Sequence, residues 1–232
     1  DNHMNIEIPS HTPGGNKIHT VGVWMSGGAD STLLCYLLAK QIKEENLPIK
    51  LKPFTVQKQP GVFGFLSVTE KIKELLDAKE LFEDQIVYPA PASGWIYSEY
   101  QAVYAIKNKE NIKNNEFQVL FSGITTNPPE EVQRRFNWGI LQDVENIRGA
   151  GKVKEKKRYF TVEHESKKYE FYEIKPFFDL NKQAISCLYK EHNLLETLFP
   201  LTRSCEAQDL STGHCGKCWW CEERFWAFRR LE

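Results

Sequence analysis

An eleven-residue stretch, Val21-Gly22-Val23-Trp24-Met25-Ser26-Gly27-Gly28-Ala29-Asp30-Ser31, constrains this chain more than any other part of it. A β-branched apolar run stops at Ser-Gly-Gly, and Thr32 to Lys40 then continues rich in Leu and Ala. This order predicts strand, tight turn, helix. Two glycines let backbone N–H groups converge where a Cβ would clash. The helix start adds unpaired donors and a positive dipole end. Such a turn suits a phosphate chain. In it Ser26 and Ser31 offer hydroxyls, and Asp30 is placed to hold a hydrated magnesium ion. No Gly-Lys-Ser/Thr follows, so the Walker pattern is absent.

Strand and helix signals alternate after it. A helix ends near Glu45-Asn46, Ile49 to Val56 reads as a strand, and Gln57 to Gly64 reads as a loop. Leu66 to Leu76 is helical, Gln85 to Tyr88 a short strand, Trp95 to Lys107 helical, and Phe117 to Phe121 a compact strand before Ser122-Gly123. Arg134 to Val144 is read as helix, Lys152 to Arg158 as a solvated basic loop, and Tyr159 to Ile174 as a hairpin turning at Glu165-Ser166-Lys167-Lys168. Asp179 and Asn181 are placed to cap a helix from Lys182 to His192. The fold expected is α/β: a Rossmann-like parallel sheet with helices on both faces. Ligands of such sheets bind at the carboxyl ends of the strands. Ser26 to Ser31, Thr55-Val56 and Ser122 to Asn127, Gly123 included, therefore converge on one rim. ATP is expected across it, its adenine near the end of the second strand.

Four of the six cysteines, Cys205, Cys215, Cys218 and Cys221, follow a Cys-x9-Cys-x2-Cys-x2-Cys pattern. Four thiolates close a tetrahedral zinc shell, which is structural rather than Lewis-acidic. Two alternatives compete: a Cys218–Cys221 redox pair, or a nucleophilic Cys205 with the other cysteines and His214 on a metal. Cys35 and Cys187 read as buried spectators and His164 as a surface residue. Phe225, Trp226 and Phe228 are expected to pack a final helix onto the body.

Thirty basic and thirty-one acidic side chains leave a formal charge of −1, which argues against a nucleic-acid partner. No stretch is long and apolar enough to span a membrane, and no signal peptide is visible, so a cytoplasmic protein is expected. Asp1 to Met4 looks like a vector remnant with Met4 as the native start, and Asn5 to Lys17 reads as a loose polar arm. The expected organisation is 1–17 remnant and arm, 18–200 the ATP-binding domain with a hairpin insertion at about 158–174, and 201–232 the zinc segment packed on it.

Ser-Gly-Gly-Ala-Asp-Ser resembles the pyrophosphate loop of the ATP-pyrophosphatase superfamily, whose fold is that of the adenine nucleotide alpha hydrolases. Pro176-Phe177-Phe178, Lys182 to Ile185, Thr202 to Cys205, His214 to Cys218, Cys221, Arg224 and Ala227-Phe228 are similar to the C-terminal half of 7-cyano-7-deazaguanine synthase. The resemblance implies a ligase that adenylates the carboxylate of 7-carboxy-7-deazaguanine, takes up ammonia and, after a second activation, yields the nitrile. It implies ATP, magnesium and structural zinc as cofactors. The sites it implies are Ser26, Gly27, Gly28, Ala29, Asp30 and Ser31 for phosphate, with Thr55, Val56, Ser122 and Gly123 beside them. Asp30, Ser26 and Lys182 take the catalytic positions; Lys182 and Arg203 either reach phosphate or substrate or serve as surface or structural charges, and Arg224 matches a family position or is a helix-face charge packing on Trp220.

Three segments depart from the family. Gly123 to Glu131 replaces an Asp-containing segment that ends near Tyr-Pro-Asp. Thr55-Val56-Gln57-Lys58-Gln59 stands where Tyr-Gly-Gln precedes a basic and an acidic residue, and Gly149 to Tyr172 has no counterpart. A relative with another substrate or acceptor is thus a stated alternative. So are a transfer-RNA-modifying thiolation or amidation enzyme and a non-catalytic ATP-binding, zinc-stabilised interaction module. A homodimer is left open.

Overall fold

The computed structural model describes residues 4–136, 155–206 and 213–232. Six strands form one sheet: β1 Thr20–Trp24, β2 Lys50–Val56, β3 Ile86–Tyr88, β4 Val119–Phe121, β5 Lys157–His164 and β6 Lys167–Ile174. Their order is β3-β2-β1-β4-β6-β5. All neighbours are parallel except β5 and β6. The helices are α1 Ala29–Glu44, α2 Gly64–Leu76, α3 Tyr97–Lys113, α4 Glu130–Gln133, α5 Lys182–Glu191 and α6 Trp219–Phe228.

Alternation along the strands builds two cores. Val21 and Val23 of β1, Val119 and Phe121 of β4, and Ile174 of β6 face one way, onto α1, α2 and α5. Leu120 of β4, Phe54 and Val56 of β2 and Phe171 of β6 face the other way, onto α3 through Tyr100 and Ile112. Side chains of a strand point to opposite faces in turn, so a sheet buried on both sides needs apolar residues at successive positions. Gly22 on β1 leaves room for Phe117: a Cβ there would lie 2.5 Å from its ring.

The expected elements that fall within the described residues are present with shifted ends. The hairpin turns through Glu165 and Ser166, both at positive φ (48° and 64°), as a two-residue connection that matches strand twist requires. It is more than an attachment, because β6 pairs in parallel with β4 from Val119–Tyr172 to Phe121–Ile174 and so completes the main sheet. The basic run is only partly a loop: Lys157 and Arg158 begin β5, while residues 152–154 lie outside the described residues. The helix expected over 134–144 lies mostly outside them as well. Asn181 caps α5 by accepting from the Ala184 amide at 3.1 Å, and Asp179 is not used.

The N-terminal arm is not loose. Ile6 and Ile18 are each 2 % exposed in the α1-side core. The Ile6 amide donates to Gln41 Oε1 (2.9 Å) and the Ile6 carbonyl accepts from Gln41 Nε2 (2.7 Å), so one side chain satisfies both backbone groups of a single anchored residue. Polar composition concealed that anchor. Among the described residues no helix is long and apolar enough to cross a membrane.

Candidate active site and metal centre

The carboxyl ends of β1, β2 and β4 open into a cleft of about 1180 Å³. The three rim segments expected to converge all contribute to it: Ser26 to Ser31, Thr55-Val56, and Ser122 to Thr125 with Asn127. The turn after β1 is clamped from several sides. Gly27 sits at φ 85°, open to glycine at no steric cost, and a Cβ there would lie 3.1 Å from the Phe65 amide at the start of α2. The Arg203 amide donates to the Gly27 carbonyl at 2.9 Å. Gly123 approaches most closely: a Cβ would lie 2.9 Å from both Asp30 C and Ser31 N. The segment after β4 therefore rests directly on the first turn of α1.

The hydroxyls of Ser26 and Ser31 lie 3.1 Å apart, and the Gly28 amide donates to Ser26 Oγ at 3.2 Å. Amides in the first turn of α1 have no carbonyl one turn earlier to bond within the helix. With the positive end of the helix dipole, they form a cradle that suits an anion. Asp30 Oδ2 accepts from Lys182 Nζ at 2.6 Å, whereas the buried Oδ1 has no hydrogen-bond partner among the described residues. An ionised oxygen left so inside a protein fits a cation's coordination shell. Ser122 Oγ is likewise buried without a partner. Tyr189 donates to the Ala29 carbonyl at 2.6 Å and pins the turn from α5; burial, then the nearby Asp30 charge, pushes its phenol pKa well up.

Of the two second-strand residues, Thr55 is committed elsewhere: its hydroxyl donates to the Met25 carbonyl at 2.7 Å and accepts from Gln85 at 3.0 Å. Val56 is buried under the rim. The residue after them, Gln57, named in the sequence only as part of a segment that departs from the family, organises this side. Gln57 donates to the Val62 carbonyl (3.0 Å), accepts from the Ala90 amide (2.9 Å), and its carbonyl accepts from Trp95 Nε1 (3.0 Å). A polar residue at a strand end is common, and no local signal separates this one. Lys58 closes toward the C-terminal segment through a 2.5 Å ion pair with Glu206.

Cys205, Cys215, Cys218 and Cys221 converge, with all four Sγ atoms within 4.8 Å of one another. Gly216 turns the Cys-x-x-Cys at φ 77°. Three amides point at sulfur: Cys215 to Cys205 (3.4 Å), Cys218 to Cys215 (3.3 Å) and Cys221 to Cys218 (3.4 Å). Donors aimed at sulfur favour thiolates. In the metal-free thiol form, a hydrogen bond from Cys221 takes the Cys218 pKa down to about 5 and pushes that of Cys221 up. The set is a metal-binding site: four soft donors, three of them buried and Cys215 half-buried, on α6 and its approach. His214 is not among the ligands; its Nε2 accepts from the Ser204 amide at 3.3 Å and its Nδ1 faces Glu232 at 3.1 Å. This arrangement leaves neither a separate Cys218–Cys221 pair nor a lone Cys205.

Both arginines bond the C-terminal segment, and Arg203 also lines the cleft. Arg203 donates to the carbonyls of Gly213 and Cys205, each at 3.0 Å. Arg224, fully buried, donates to Thr202 Oγ1, Ser204 Oγ and the carbonyls of Phe199, Thr202 and Leu231, and stacks 4.0 Å over Phe199. Burial lowers its pKa to about 10, so it stays charged near neutrality. Cys35 is buried as expected, and burial pushes its thiol up to about 12. Cys187 is exposed, contrary to expectation. Phe225 is also exposed (53 %), because α6 turns Arg224 and Phe228, one turn apart, inward instead.

No protein-family model matches the chain, and no curated protein sequence does. Among solved structures, it is similar to the U34-tRNA thiolase NcsA from Methanococcus maripaludis with its 4Fe-4S cluster, at 16 % identity and a TM-score of 0.43. The match covers 76 % of this chain and 58 % of that one, less than two thirds of its length.

Proposed function

We propose that this chain is an ATP-dependent enzyme of the pyrophosphate-loop superfamily that transfers AMP to an oxygen of its acceptor. The observation that carries the reading is the turn at Ser26 to Ser31: a helix-start anion cradle beside Asp30, whose buried Oδ1 has no hydrogen-bond partner among the described residues. The acceptor chemistry proposed is that of the nitrile synthases to which the motifs are similar. A carboxylate oxygen attacks the α-phosphorus of ATP and pyrophosphate leaves. Ammonia then attacks the acyl carbon, AMP leaves with the C–O bond electrons, and the nitrogen sheds a proton to solvent. A second ATP activates the amide oxygen in the same way; loss of AMP and of the nitrogen's protons leaves the nitrile.

The protein's part is to position and to stabilise charge. First-turn amides and the α1 dipole bear on phosphate, and Asp30 holds magnesium. A carboxylate acceptor is already a nucleophile and needs no general base. The cleft of about 1180 Å³ exceeds the ~300–1,000 Å³ of an ordinary small-molecule pocket, room enough for ATP and an acceptor together. In the cysteine site we propose a single zinc ion. Four sulfurs at ~2.3 Å from one ion stand ~3.8 Å apart. The four sulfurs lie within 4.8 Å of one another, with Cys215 and Cys221 3.9 Å apart, a spacing that supports one ion held by all four.

The test is mass spectrometry of products from metal-loaded protein with magnesium-ATP, ammonium and 7-carboxy-7-deazaguanine. The nitrile together with AMP is the expected result. AMP formed only with another carboxylate or with transfer RNA would move the acceptor and keep the ATP chemistry. ATP intact with all of these would overturn the reading.

A further inference from the structure

Lys182, on the first turn of α5, is 6 % exposed and lies between two carboxylates. Its Nζ is 2.6 Å from Asp30 Oδ2 and 4.0 Å from Glu223 Oε1. Glu223 is 1 % exposed and stands on α6 two residues beyond the metal ligand Cys221. A carboxylate buried this deeply is costly, and an apolar side chain of similar size would pack there without that cost. Two negative groups share one ammonium beside the turn that faces phosphate.

This arrangement makes sense if the ammonium has two resting places. A divalent cation that takes Asp30 would repel Lys182, whose side chain is only 7 % exposed at the edge of the cleft. Glu223 is within a side-chain rotation and accepts it. We propose that Glu223 is a positioning residue that receives the Lys182 ammonium when a divalent cation on the nucleotide phosphates occupies Asp30. The inference rests on the ATP reading above. It also ties the two sites together: α6 is fixed at its start by Cys218 and Cys221, so metal bound there sets where Glu223 stands.

The experiment is calorimetric titration of ATP into the full, metal-loaded chain over a range of magnesium concentrations. Wild type is compared with Glu223→Gln, which keeps the shape, and Glu223→Asp, which keeps the charge. Glu223→Gln is expected to need about tenfold more magnesium for half-maximal tightening of ATP binding. Magnesium-free ATP binding, cysteine-bound metal and melting temperature should stay near wild type. Glu223→Asp should shift the magnesium midpoint less than Gln, and it carries the test if Gln fails to fold. An unchanged magnesium midpoint in both variants would overturn the proposal. So would a uniform loss of ATP affinity at every magnesium level, the mark of a merely structural residue. Wild type that binds no ATP at any magnesium level would overturn the functional reading first and this inference with it.

Discussion

Gly123 shows how little freedom the rim has. A Cβ at this position would enter the backbone of Asp30 and Ser31 at 2.9 Å, and backbone cannot rotate away as a flexible side chain can. Gly123→Ala should therefore cost about 1–3 kcal/mol, read from the urea midpoint, and weaken ATP binding because the first turn of α1 must shift. Asp30→Asn tests the opposite property, charge without shape. It should lower magnesium-dependent turnover roughly 10²–10³-fold while the melting temperature stays near wild type, since Asn keeps the side chain's outline and Lys182 keeps Glu223. Turnover near wild type in that variant would remove Asp30 from the proposed cation site. Local pattern exposes Asp30 but not its partners. Asp30 sits in a dense motif, whereas Lys182 and Glu223 are ordinary helix residues that become a charge cluster only when α1, α5 and α6 meet.

At the scale of elements, α6 joins the metal centre to the nucleotide turn. Arg224 holds Thr202 and Ser204 on either side of Arg203, whose amide bonds the Gly27 carbonyl. Removing the cysteine-bound metal with a strong chelator should lower the melting temperature by roughly 5–10 °C, the shift that about 2–3 kcal/mol produces in a chain of this size. It should also weaken ATP binding, measured by calorimetry. Retained ATP affinity in the apo protein would break the proposed connection. The strands and helices of this path were readable from apolar runs, caps and cysteine spacing, all local signals. The pairing of β6 with β4 was not, because residues 119–121 and 172–174 meet across some fifty residues of chain and periodicity carries no partner information. The outward face of Phe225 and the exposure of Cys187 escaped for a related reason. Hydrophobicity names residues fit for burial, and the helix phase decides which of them receive it.

For the molecule as a whole, the arm at residues 4–18 contributes to the larger core rather than trailing from it. Ile6→Ala should cost about 2–4 kcal/mol in chemical denaturation, the usual loss for a buried large-to-small change. A change below about 0.5 kcal/mol would return the arm to the status of a tail. Its two bonds to Gln41 explain why one isoleucine suffices: α1 supplies the pairing that a strand would otherwise provide.

The sheet order also has a consequence for how the chain is made. β1 to β4 are all synthesised by residue 121, and they can pair among themselves as soon as they emerge. The strand that covers the outer side of β4 comes some fifty residues later, at 167–174. In that interval Val119-Leu120-Phe121 presents an apolar, unpaired edge to other nascent chains. The β5–β6 hairpin, zipping up locally from its two-residue turn, then acts as a late-arriving cover delivered in one piece. A segment that looks like an insertion in the sequence is thus, during biosynthesis, the step that ends the chain's most aggregation-prone moment.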